Sequence, residues 1–436
     1  MVSETTRPDR DIDAIALTAQ SDSVVAIAPD GAALGPCLLW MDPRGGAEAA
    51  ALELALGRGA IHEHTGLRSA ANFAGPKIAW LRRADPLRFE QARWFLQPKD
   101  VLGHWLTGEV WTDPSSASRS LLYDQVAGSW WPPALRAIGV DEGRLAPLTP
   151  SSSTPAGLEA KVAAELGLKS GTPVVIGAAD RAAEAVGLGV AGAEAMVSTG
   201  TATGVARAVR LDDRPTDDRV TTPSHAIAGE ALAMLSIPST GASIEWLAGV
   251  IHAGRGDPVR ALLRLASAAD VGARGVLGLP MLAGARSFRW RPDARGAFLG
   301  LGQATSRTDL ARAMIEGIAF EIAACLDVLD ASLGPTERLR LTGGLYADPF
   351  AAQLLCDVTG RAAVRAAERD AALVGAMLLG RQTLRATDDP RSEASARAGR
   401  WARYTPDRTI SDRYTPIRRR YRDAVDAVLA ERADPG

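Results

Sequence analysis

The sequence predicts an α/β protein of two domains, and three observations carry that expectation. The chain has 436 residues, more than one hydrophobic core ordinarily serves. Gly171–Gly177 is apolar and β-branched with glycine at either end, a buried-strand pattern that runs into Asp180 and an Ala-rich segment. Leu339–Thr342, Gly343-Gly344 and Pro349–Val358 then read as strand, glycine turn and helix.

In chain order, Ile12–Gln20 reads as a strand, Val24–Ala28 as its partner and Pro29-Asp30-Gly31 as the turn after it. Pro36–Trp40 is another short strand, and Met41–Arg44 leads into an Ala/Leu-rich helix. If these strands are neighbours, Gln20, Asp22, Trp40, Asp42 and Arg44 cluster, and a polar pocket with an aromatic wall suits a polyhydroxylated ligand. The alternative is an exposed strand end with Asp42 capping the next helix. Pro76–Arg83 and Pro86–Trp94 read as helices, followed by a helix over Val101–Thr107 closed by Gly108. Thr112–Ser118 reads as a polar loop, Leu145–Pro155 as a connector and Leu158–Leu168 as an amphipathic helix.

Asp180 falls at the C-terminal end of a predicted strand, where open α/β sheets bind ligands. A carboxylate there can take the proton of a substrate hydroxyl as that oxygen attacks a phosphoryl group. The bland reading, a helix N-cap, fits the position equally well. Ala195–Ser198, Thr199–Gly204 and Val205–Val209 follow as a hairpin whose glycine-hydroxyl turn can aim N–H groups at an anion, glycine being free to adopt positive φ. Most such turns are only turns. Gly187-x-Gly189-x-x-Gly192 matches the dinucleotide fingerprint in letters but lacks its strand–turn–helix context.

Beyond the hairpin lie a charged loop at Arg210–Arg219, a helix beginning near Ser239, a strand within Gly275–Leu282 and an Arg-rich loop to Gly296. Asp309–Leu329 is a long helix with Leu310, Met314, Ile318, Ile322 and Leu326 recurring every fourth residue. Gly343-Gly344 before the helix at Pro349 admits a nucleotide to the backbone, or is an ordinary βα turn. Ala371–Leu379 is a small-residue helix expected to pack beneath that turn, and Pro416–Glu431 is a terminal helix.

Composition narrows the partners. Formal net charge is −2 with no basic field, which argues against nucleic-acid or membrane-surface binding. Hydrophobic residues make up 47% and mean hydropathy is −0.01, as in a soluble globular protein. Cys37, Cys325 and Cys356 are scattered in apolar settings, favouring reduced thiols in a cytoplasmic protein, and the histidines form no ligand pattern with them. Met1–Asp11 is polar with no apolar export segment.

Taken as an ordered series, these segments resemble the FGGY family of carbohydrate kinases, its xylulokinase-like members in particular. The matching stretches are Ile12–Gln20 with Leu38–Arg44, Leu106-Thr107-Gly108 with Thr112–Asp124, Gly177–Asp180, Ser198–Thr201, Gly296–Leu301 with Asp309–Glu316, and Gly343-Gly344 with Gln353, Asp357 and Gly375-Ala376. The resemblance implies two actin-like ATPase (ribonuclease H-like) domains with a ligand cleft between them. Residues 1–188 would form the sugar-binding domain and residues 189–436 the nucleotide-binding domain. It implies ATP and Mg2+ as cofactors, a sugar or polyol as the small-molecule partner, and ATP-dependent phosphorylation of a hydroxyl; it leaves a homodimer open. It also implies roles: Asp180 as the catalytic base, Thr199, Gly200 and Thr201 on the phosphates, Gly343, Gly344 and Gln353 on the adenosine side, and Gln20, Asp22, Trp40 and Asp42 facing the sugar.

The chain departs from the family pattern at identifiable places. The Asp-x-Gly-Thr phosphate hairpin that opens family members is nowhere in it, so either an upstream start is expected to restore the hairpin or the chain is a catalytically impaired pseudokinase that binds sugar or nucleotide. Translation of the DNA upstream of Met1 separates these. A chaperone-like or cytoskeletal ATPase of the same superfamily is disfavoured by the sugar-domain residues. Ser21-Asp22-Ser23 replaces Met-His-Gly, Arg181 replaces the usual Asn or Gln, and Leu345 replaces a frequent third glycine. These changes bear on which sugar is taken rather than on kinase ancestry.

Overall fold

A computed structural model of the chain describes residues 12–254, 256–367 and 370–431, so the reading of Met1–Asp11 lies outside it. The described parts of Met1–Gly189, Val209–Leu232 and Ala371–Ala396 form one compact unit, and those of Val190–Ala208, Ala233–Asp370 and Arg397–Gly436 form another.

The first unit runs through β1 (Ile15–Ala19), β2 (Val25–Ile27), α1 (Ala74–Ala84), β3 (Trp94–Leu96), α2 (Pro98–Thr107), the single turn α3 (Pro114–Ala117), β4 (Ala156–Gly157), β5 (Pro173–Ala179) and α4 (Asp180–Leu188). β5 is the central strand of β1-β5-β4, parallel to β1 with Ala19 opposite Ala179, and buried from Val174 to Ala179. Such two-sided burial is why it reads as an unbroken apolar run. Pairing by sequence proximity therefore fails for Val24–Ala28. Instead of joining β1, β2 pairs antiparallel with β3, Ile27 opposite Trp94. The same pairing corrects the helix expected to reach Trp94: it ends at Gln91, because the Arg93 amide donates to Ile27 O at 2.7 Å. Within the expected polar loop, Asp113 accepts from the Ser115 and Ser116 amides and so starts α3.

The helix Ala371–Thr383 packs on α4 in this unit rather than beneath Gly343-Gly344, which corrects its expected place. Its contact explains the small residues. A Cβ on Gly375 would lie 1.7 Å from Ala183 O, and one on Gly187 would lie 2.0 Å from Ala371 O. Only glycine lets the two backbones approach this closely.

The second unit contains β6 (Glu194–Thr199), most of β7 (Thr203–Arg210) and of β8 (Glu230–Ile237), α5 (Gly241–Val250), α6 (Pro258–Ser267), α7 (Arg307–Leu333), β9 (Arg338–Gly343), α8 (Pro349–Thr359), β10 (Ala362–Arg365), β11 (Ala402–Tyr404) and α9 (Arg408–Glu431). The strands form one sheet in the order β8-β7-β6-β9-β10-β11, with β6, β9 and β10 mutually parallel. α7 starts at a capping box in which Ser306 and Asp309 exchange bonds, and its buried face includes Leu326, Ile322, Ile318 and Met314. It is tied to α9 through Arg312, which donates to Glu316 at 2.7 Å and to the Tyr414 hydroxyl at 2.6 Å. No helix among the described residues is long and apolar enough to cross a membrane.

Candidate active site

In the first unit the site is built at the end of β5. Gly177 adopts φ 66°, and a Cβ there would meet Leu17 O at 1.7 Å. The register slips across this point, from Ala16 opposite Val175 to Thr18 opposite Ala178, so the strand carries a bulge that re-aims its last residues. Gly177 N then donates to Ser151 O at 2.9 Å, and Ala179 N to Ser115 Oγ at 2.9 Å.

Asp180 is the first residue of α4 and makes no N-cap bond; Ala179 holds the cap position. The Arg181 amide donates to its Oδ1 at 2.8 Å. Burial pushes the Asp180 carboxyl up from its ordinary value of 3.8, the adjacent Arg181 opposes that, and the charges of Glu184 and Asp22 add to it. Arg181 is itself paired with Glu184 at 2.7 Å.

Asp22, 6% exposed and at φ 67°, sits in a dense polar cluster. Arg119 Nε and Nη2 grip its two carboxylate oxygens at 2.7 Å each, Asn72 donates to Oδ2 at 3.1 Å and Lys77 Nζ to its carbonyl at 2.8 Å. The guanidinium of Arg119 lies over the Phe73 ring. Trp40 joins this region because Val24 and Leu38 bridge, which sets the Trp40 amide 3.1 Å from Ser23 Oγ. Asp42 engages Arg44 at 2.9 Å from Nε, and Arg44 stacks over Trp80. Gln20 follows β1 and is partly buried. Arg119 went unread in the sequence; its only signal is a lone arginine directly after the Thr112–Ser118 run.

In the second unit, a cavity of about 890 Å³ is floored by Thr199-Gly200-Thr201 and Thr342–Leu345, and walled by α5, α6 and the start of α8. Small-molecule sites commonly span about 300–1,000 Å³. The two turns are adjacent because Gly343 is the register partner of Thr199. Gly343, at φ 98°, passes so close that a Cβ would sit 2.0 Å from Thr199 O. A Cβ on Gly344 would meet nothing within 4 Å, and one on Gly200 only Ala202 O at 4.0 Å. Gly200 keeps a negative φ, so its use is this open space rather than the positive φ expected of the turn. Thr203 Oγ1 lies within hydrogen-bond distance of both Thr199 Oγ1, at 3.1 Å, and Thr240 Oγ1, at 2.8 Å.

Gln353 is not in the cavity wall; its Nε2 donates to Asp357 Oδ1 and Thr405 O, both at 2.8 Å. Charged wall residues the sequence did not single out are Glu245, Asp257, Arg260, Arg264, Asp348 and Arg365. They come from helices and a strand end spread over more than a hundred positions, with no local motif. No group of three or more His, Cys, Asp or Glu among the described residues could hold a metal ion. Mg2+ is ordinarily held by one or two carboxylates together with the nucleotide's phosphates, so a protein-only cage is not what it requires.

A raised-pKa carboxylate at a parallel strand end and a glycine-floored cavity sit in a fold of the actin-like ATPase class. The chain belongs to the FGGY family of carbohydrate kinases: the family's N-terminal domain matches residues 2–187 and its C-terminal domain residues 195–383. It is 30% identical to the xylulose kinase of Escherichia coli over 355 residues, which is 81% of this chain and 72% of that one. It is 26% identical to the gluconokinase of Bacillus subtilis over 384 residues, 86% of this chain and 74% of that one. The crystal structure of ligand-bound xylulose kinase from Lactobacillus acidophilus superposes with a TM-score of 0.90, covering 98% of this chain and 86% of that one at 22% identity.

Proposed function

We propose that the chain transfers the terminal phosphoryl group of ATP to a hydroxyl of a sugar or polyol, with Asp180 as the general base. The observation that carries this reading is Asp180 itself, a partly buried carboxylate at the end of β5 that does not hold the N-cap position and whose basicity burial raises. A base with a raised pKa takes a hydroxyl proton more readily. As the acceptor oxygen bonds to phosphorus, its proton passes to a carboxylate oxygen of Asp180, the bond from phosphorus to the bridging oxygen breaks, and ADP leaves with that electron pair. The base must be ionised, so turnover falls on the acid side, at a pH above the ordinary carboxylate range.

In this reading the first unit binds the sugar and the second the nucleotide. Thr199–Thr201 lie against the phosphates, and the space over Gly200 and Gly344 takes the nucleotide. Mg2+ accompanies ATP and neutralises charge on its phosphates. Asp22 has both carboxylate oxygens engaged by Arg119, so the pair presents to the sugar as a unit with Trp40 beside it. Asp42 and Gln20 line the approach. ATP supply puts the reaction in the cytoplasm. The test is ADP release with Mg-ATP across ketoses, aldoses, polyols and sugar acids: turnover dependent on one of these supports the proposal, and none with any acceptor sinks it.

A further inference from the structure

We propose that Ser115 is a positioning residue for Asp180, acting through the Ala179 amide and held in turn by the buried Lys99–Asp113 ion pair. The inference rests on the reading of Asp180 as the base. Asp113 is 0% exposed, Lys99 1%, Ser115 1% and Ser151 3%. Lys99 Nζ lies 3.1 Å from Asp113 Oδ1 and 3.5 Å from Asp100 Oδ1. The Asp113 carboxylate accepts from Ser116 Oγ at 2.7 Å, Ser151 Oγ at 2.8 Å, the Ser115 amide at 3.0 Å and the Ser115 hydroxyl.

An ionised carboxylate only accepts, so the Ser115 hydroxyl hydrogen must point at Asp113. Its oxygen is left as an acceptor, and the donor it receives is the Ala179 N–H at 2.9 Å. The chain of polarity therefore runs from the Ala179 amide through Ser115 to Asp113 and Lys99, fixed in one direction by charge. It ends on the residue directly before Asp180. Ser151 fastens the same strand end a second time, since its hydroxyl binds Asp113 while its carbonyl takes the Gly177 amide.

The bulge at Gly177 makes this restraint matter. Past it, the register to β1 resumes only at Ala178 and Ala179, and α4 begins at once. A displacement of about 1 Å in a reacting group is enough to lose about 10²-fold in rate. Buried ion pairs are weak contributors to stability when apolar packing could replace them. Orientation of Ser115 is what this one supplies.

Ser116 provides the control. It donates to the same carboxylate from both Oγ and its amide, yet its hydroxyl is not the acceptor of the Ala179 amide. In the full chain, Ser115→Ala is expected to lower kcat about 10- to 100-fold with KM for sugar and ATP within about twofold, and to leave the acid limb of the pH profile in place. Ser116→Ala should lose similar thermal stability while keeping kcat within about threefold. Ser115→Cys, near-isosteric and a weaker acceptor, gives an intermediate kcat and replaces the alanine variant if that does not fold. Equal kcat losses at 115 and 116, or a kcat loss at 115 that follows KM or melting temperature, overturns the inference. Asp180→Asn is assayed alongside. If it is inactive while Ser115→Ala turns over normally, only the positioning role fails; if it turns over normally, the base reading fails and this inference with it.

Discussion

The two strand ends to which the proposed chemistry is assigned are made from opposite materials. At the end of β5 the working parts are side chains: a partly buried acid, an ion-paired arginine next to it, and a neighbouring Asp22–Arg119 pair. At the ends of β6 and β9 the working part is the absence of side chains, with Gly343 pressed against Thr199 O and Gly200 and Gly344 facing open space. A base must have a particular pKa, which only burial and neighbouring charges can set. A phosphate needs N–H groups within reach, which any backbone supplies once nothing blocks it. The first site is therefore sensitive to electrostatics and the second to volume.

The largest test of that contrast is Asp180→Asn, which keeps shape and removes basicity. It should lower kcat by about 10³-fold, within the range general-base catalysis supplies, while ATP affinity by calorimetry stays within about twofold. Turnover near wild type would end the role assigned to Asp180. Next is Gly343→Ala, where φ 98° and a contact of 2.0 Å to Thr199 O leave no room for a methyl group. Strain at such a position costs about 1–3 kcal/mol, and KM for ATP should rise at least tenfold with a fall in melting temperature. A smaller effect is expected at Gly344, where a Cβ meets nothing within 4 Å. Gly344→Ala should leave stability unchanged and weaken ATP by only a few-fold; a large loss of stability would show that its backbone, not the space above it, is what counts.

The smallest effect separates fold from function altogether. His225 is 3% exposed, and burial, with Arg391 adding repulsion, pushes its pKa down to about 3 from 6.5. Between those values the unfolded chain binds more protons than the folded one, so the stability of neutral His225 is complete above about 6.5 and is lost as pH falls toward 3. At pH 5 the loss is about 2 kcal/mol. His225→Asn, whose Oδ1 replaces the Nδ1 that accepts from Ile227 N at 2.9 Å, should flatten melting temperature against pH from 7 to 5 without changing kcat at pH 7. An unchanged slope would place the acid-labile group elsewhere.

Much of the fold was legible where burial imposes a period. β5, the hairpin β6–β7, α7 with its capping box and the β9–turn–α8 unit all follow from apolar spacing, caps and glycine. Misreadings fell where a long-range partner overrode a local pattern. β2 looks like the return strand of β1 until β3 claims it, and Ala371–Thr383 looks like support for the glycine turn until Gly375 is seen against Ala183. The same divide runs through the site. Asp180 and the two glycine turns announce themselves by sitting at strand ends. Arg119 and Ser115 are individually ordinary, and their partners come from where folding brings them.

The sequence by itself determined that this is an α/β carbohydrate kinase, because strand and helix periods, glycine turns and the ordered family segments are local or serial properties of the chain. Only the tertiary structure decided the electrostatic setting of the acid and the floor of the cavity. Desolvation depends on what packs around a group, and a close approach such as Gly343 to Thr199 joins residues 144 positions apart that share nothing but a strand register.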